Sequence, residues 1–162
     1  MLSRIKVFQI IKKGKRRLDI EEVRFRLKYS MEPSKIGKSA EIFIWSDRLS
    51  EIVLYPTATF FSVRHELCHA KLYEMGIPLT NTEKDINLFP DQNNLLRMIV
   101  IIEWYINELQ RRVFNEYYAV DKSGTPRPPP FHGLPQLPQE RFTAEEINQI
   151  VEIAEGQEEI VP

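Results

Sequence analysis

Cysteine is nearly absent: one residue, Cys68, in a chain of 162. That excludes an internal disulfide and the small stapled-domain class, and it fits a reducing cytoplasm. Long apolar runs are lacking too, since none approaches the ~20 residues of a membrane span. Behind the basic N-terminus there is no apolar stretch followed by a small-residue cleavage site, so export is not expected and a cytoplasmic location is. Histidine is scarce, with three residues, and glycine is limited to six. What the chain does have is 43% apolar and 28% charged residues, which supports a packed core and argues against disorder. At this length a single domain buries roughly 70% of the surface its unfolded form exposes, so folding needs no staple.

A net charge of −1 conceals a strong asymmetry. Residues 1–38 carry 12 Lys/Arg against four Asp/Glu, residues 39–138 carry nine against 12, and residues 139–162 carry one against seven. A basic head and an acidic tail therefore cancel across a nearly neutral middle, and such ends can mark partner-binding segments. The head lacks aromatics interleaved on a nucleic-acid-binding motif, so nucleic acid is not favoured as a partner. A solvated sheet face, or a dock for the acidic tail, is the plainer account.

Leu2, Ile5, Val7, Phe8, Ile10 and Ile11 fit helix and strand about equally, and Gly14 is expected to break that run. Val23, Phe25, Leu27 and Tyr29 alternate with Arg24, Arg26 and Lys28, which predicts a strand with one basic face, the rival being a helix capped by Asp19. Two further apolar runs, Glu41–Trp45 and Ile52–Tyr55, read as a hairpin or two neighbouring strands. Thr57 or Thr59 can then cap a helix reaching Glu74, with Gly76 at its C-cap and Pro78 preventing continuation. After the polar stretch 80–92, a long apolar helix is expected over Asn93–Asn115. Six of the 11 prolines fall between Pro126 and Pro138, a linker or extended strap, and Thr143-Ala-Glu-Glu146 begins a short capped helix. The expected organisation is α+β: a small sheet of about three or four strands, two long helices, then the strap and short helix. Residues 1–120 would form the main domain and 121–162 an extension.

The first long helix carries His65-Glu66-Leu67-Cys68-His69, the HExxH pattern. At about 100° per residue, His65 and His69 lie some 40° apart on adjacent turns, so their imidazoles can converge on one ion. Glu66 falls within roughly 100° of both and can reach a water there without ligating. Zinc suits such nitrogen and oxygen donors in a tetrahedral site with one open position. Cys68 points away from the convergence and reads as a small core residue.

Two histidines do not complete a site. His132, the remaining histidine, lies in the proline-rich strap. Among downstream carboxylates, Glu74 is about 180° round the helix from His65, Glu83, Asp85 and Asp91 sit in the polar stretch, and Glu108 stands beside Arg111 and Arg112 as a surface ion pair. Glu103 differs, because it interrupts the apolar run Met98–Ile106 on the face of Leu96, Ile99, Val100, Ile106 and Phe114. A carboxylate there is costly unless a metal or an arginine compensates it.

HExxH on one helix with Glu103 on the next resembles the gluzincins, zinc metallopeptidases with a His, His, Glu ligand set. The short chain is most similar to minigluzincins, with the ImmA/IrrE-type metalloproteases close behind. The likeness covers roughly residues 23–115, and its specific part is HExxH plus one Glu. It implies a zincin-like fold, zinc bound by His65, His69 and Glu103, Glu66 as the general base of metal-assisted peptide hydrolysis, and a peptide or protein substrate. Asn107 stands where thermolysin-like relatives carry Asp, so it can give an uncharged supporting hydrogen bond. Tyr105, Tyr117, Tyr118 and His132 are candidates for stabilising the oxyanion. Minigluzincins resemble zymogens whose terminal segment occupies the cleft, which suggests self-inhibition by residues 121–162. The alternative is a zinc-bound or degenerate scaffold that binds a regulator or nucleic acid without hydrolysis. No membrane partner is expected.

Overall fold

The computed structural model describes residues 1–77, Leu79 and 92–116, and for 92–101 and Trp104 the backbone alone. The chain divides into two compact units, Met1–Glu74 and Met75–Pro162. The expectations for residues 80–91 and for the strap and short helix beyond Glu116 lie outside the described residues. Those described form an α+β arrangement of three helices and one three-stranded mixed sheet. No described helix is long and apolar enough to cross a membrane.

In the first unit, α1 spans Arg4–Leu18. The N-terminal apolar run is thus a helix, and Gly14 does not break it. Val7, Ile11, Gly14 and Leu18 form a buried stripe at helical spacing. A helical glycine costs about 0.5–1 kcal/mol against alanine. Burying three aliphatic side chains, at roughly 1.5–3 kcal/mol each, outweighs that. Asp19 ends the helix in the left-handed region at φ 55°. The Asp19 and Ile20 amides donate to the Arg16 and Lys15 carbonyls, a Schellman closure that uses Asp19 as the C-terminal stop and not as the start of a second helix.

Strand β1, Arg24–Tyr29, follows, then β2, Ala40–Ser46, and β3, Leu49–Leu54. The order is β1-β3-β2, so the middle position falls to β3, parallel to β1 and antiparallel to β2. The expected basic face of β1 is present: Arg24, Arg26 and Lys28 are exposed, while Leu27 is buried and Phe25 and Tyr29 are half-buried. Central β3 buries Ser50, Ile52, Val53 and Leu54. A register shift between Ile44 and Ser46 leaves Trp45 outside the ladder.

Thr59, the second of the two expected caps, starts α2, Phe60–Glu74. Its hydroxyl accepts from the Ser62 amide at 3.2 Å, and Ser62 Oγ accepts from the Thr59 amide at 3.1 Å. This reciprocal pairing is a capping box with serine in the position usually held by Glu or Gln. Both α1 and strands β2 and β3 pack on α2. Its buried residues, Val63, Glu66, Leu67, Cys68, Ala70 and Leu72, therefore extend round more than one face. After α2, Gly76 takes a φ of 98°, where a side chain would be strained.

In the second unit, α3 runs Gln92–Phe114, within a residue of the expected span. Ile102, Tyr105, Ile106, Leu109 and Gln110 make its buried stripe. Glu108 lies on the outer side, accepting from Arg111 at 2.6 Å and Arg112 at 2.8 Å, the surface ion pair its neighbours suggested. Asn115, at φ 53°, turns the chain out of the helix.

Two outcomes follow from this packing. Ile52→Ala, at a fully buried position of the central strand, should lower unfolding stability by about 2–5 kcal/mol in denaturant titration. Hydrogen bonds from Arg111, set against partial burial and supported by Arg112, hold the Glu108 carboxyl below its ordinary value. A depressed folded-state pKa gives stability that is present above the unfolded value and lost as pH falls through the folded one. The stability gap between the parent and Glu108→Gln should therefore be constant near neutrality and close progressively on acidification below about pH 4.5. A gap that widens towards acid would contradict this assignment.

Candidate metal centre

His65 and His69 occupy successive turns of α2, and both are half-buried. Their ring centroids are 5.1 Å apart with the planes at 72°, so they flank a common point and are not stacked face to face. Phe61, one turn earlier, stacks on His65 with centroids 6.5 Å apart and planes at 29°. That ring restricts the imidazole's orientation. Its spacing of four residues before His65 is all that marks it in the sequence.

Glu66 follows His65 directly and is buried, with 7% of its surface exposed. Cys68 is fully buried, which agrees with its reading as a core residue. Glu74 is exposed and lies 3.9 Å from Lys71 Nζ, apart from the histidines as its position on the helix required.

Glu103 is half-buried on α3. It sits about 100° round the helix from Ile102 and so flanks the buried stripe instead of centring it. One imidazole nitrogen from each of His65 and His69 and one carboxylate oxygen of Glu103 lie within 4.8 Å of one another. No other trio of His, Cys, Asp or Glu among the described residues does so.

Asn107, one turn after Glu103, has a buried amide oxygen with no hydrogen-bond partner. Tyr105 is fully buried in the stripe of α3, which makes it a core side chain and a poor candidate for meeting a substrate. Tyr117, Tyr118, His132, Glu83, Asp85 and Asp91 lie outside the described residues.

The donor set can be tested against zinc by its chemistry. Two neutral imidazoles and a carboxylate match the borderline preferences of the ion. Bonds of about 2.0–2.2 Å put tetrahedral donors roughly 3.3–3.6 Å apart. That spacing falls inside the 4.8 Å within which the three ligand atoms lie. Among the described residues three protein donors meet, the ligand count of a site with an open position for water and not of a closed four-ligand structural site.

Compared with known proteins, the chain matches no family model, no curated protein and no solved structure.

Metal binding is directly measurable. The chain dialysed against zinc should retain one ion per molecule, and His65→Ala, His69→Ala and Glu103→Ala should each lower its affinity at least tenfold in chelator competition. Full affinity in Glu103→Ala would remove that residue from the site.

Proposed function

We propose that the chain is a zinc-dependent peptidase of the gluzincin type, with His65, His69 and Glu103 as ligands and Glu66 as general base. The observation that carries this reading is the approach of those three ligand atoms to within 4.8 Å, with a buried glutamate next to the first histidine. A zinc ion held there supplies a Lewis acid that acidifies a bound water and polarises a carbonyl.

The chain's own residues do the rest. Glu66 takes a proton from the attacking water and returns it to the leaving amine. His65 and His69 must be neutral to bind metal, so the site favours neutral over acidic pH. Phe61 helps hold one imidazole in orientation. Among the described residues strand β2 forms one edge of the sheet and packs with α2, and strand addition of an extended peptide along β2 belongs to the same proposal. Self-inhibition by residues 121–162 belongs to the same proposal and rests on the sequence alone.

Glu66→Gln separates catalysis from metal binding. It should keep the zinc and the fold while losing about 10²–10⁴-fold in peptide cleavage, the usual worth of a positioned base. Cleavage at the parent rate would sink the peptidase reading, and zinc retention without cleavage in the parent would favour a non-catalytic scaffold.

A further inference from the structure

Helix α1 contains seven Lys/Arg among its 15 residues, and no acid. Its core stripe, Val7, Ile11, Gly14 and Leu18, leaves a second, outward stripe. Ile5, Phe8, Lys12 and Arg16 lie within about 80° of one another on that outward side. The stripe changes character along its length. In the first half Ile5 is 73% and Phe8 39% exposed, with Met1 at 71% just before the helix, and exposed Arg4 and Lys6 flank them, the Arg4 guanidinium 5.5 Å from the centre of the Phe8 ring. In the second half the exposed side chains are Lys12, Lys13, Arg16 and Arg17.

The basic end does not stop at the helix. Phe8, Lys12, Lys15, Arg16 and Arg24 border one hollow, which brings the basic face of β1 next to α1. The acid there, Glu21, is 3.7 Å from Arg16, and both side chains are exposed. Such an ion pair offsets little of the surrounding charge.

We propose that this outward face of α1 docks on the surface of an anionic bilayer. A lipid surface rewards both halves of the stripe: Ile5, Phe8 and Met1 enter the headgroup–acyl boundary while the cations meet anionic headgroups. A nucleic-acid backbone would reward the cations and leave three exposed apolar side chains in water. The apolar end therefore selects between two polyanions that the charge alone does not distinguish. The absence of a membrane span, from which no membrane partner was expected, has no bearing on a peripheral contact of this kind. The docking is independent of the metal site and of hydrolysis.

The full chain is sedimented with large vesicles of phosphatidylcholine containing roughly a third phosphatidylserine, and with phosphatidylcholine alone, at about 0.1 M salt. It should bind the mixed vesicles at least tenfold more tightly. Ile5→Ser/Phe8→Ser and Lys12→Gln/Arg16→Gln should each weaken that binding about tenfold or more, with thermal midpoints near the parent's because all four side chains are exposed. Raising the salt to about 0.5 M should release the unsubstituted chain, a measurement that needs no variant to fold. No preference for the mixed vesicles, undiminished binding by Ile5→Ser/Phe8→Ser, or tighter binding to a DNA duplex than to vesicles would each overturn the proposal.

Discussion

The packing of α2 is the constraint on which the candidate site depends. This helix is gripped by α1 and by strands β2 and β3, with Val63, Leu67 and Leu72 buried almost completely. Contacts on more than one face determine its rotation about its own axis as well as its position. A helix held on one side can roll by tens of degrees at little cost, but one held on two sides cannot without opening voids or overpacking. His65 and His69 inherit their direction from that grip. So does Glu66, which the same packing buries.

The neighbouring elements serve the same end. The reciprocal bonds between Thr59 and Ser62 set the first turn of α2, and Gly76 lets the chain leave beyond its last one. Central β3, buried through Ile52, Val53 and Leu54, and strand β2 together supply the sheet side on which α2 packs. The cost of Gly14 within α1 is tolerated because the aliphatic residues around it are buried. Thus a helix with an unfavourable residue near its middle still forms, and its outer side is left for charge.

Much of this was legible before any coordinates. The cap of α2, the span of α3, the alternation in β1 and the Glu108 ion pair all follow from local chemistry acting over a few residues. The N-terminal segment was not legible in that way. Its apolar residues fit two periods, and Gly14 argued for a break that burial then overrode. Asp19 was ambiguous for a related reason, since an aspartate can start a helix with its side chain or end one by accepting a left-handed backbone. The hydrogen bonds to Lys15 and Arg16 decide between the two. Phe61 carries no distinct signal of its own, because an aromatic four residues before a histidine is ordinary helix spacing.

By itself the sequence determined the chemical content of the candidate site: HExxH at one-turn spacing, Glu103 interrupting an apolar run, and Cys68 turned away from the point where the histidines converge. Those are matters of residue type and helical period, which are local. Only the tertiary structure decided that Glu103 meets the two imidazoles within 4.8 Å, that Tyr105 belongs to the core, and that α1 turns Ile5 and Phe8 outward beside its cations. Convergence of residues nearly 40 positions apart, and the choice of which face of a helix meets water, depend on how elements pack against one another. No local preference encodes either.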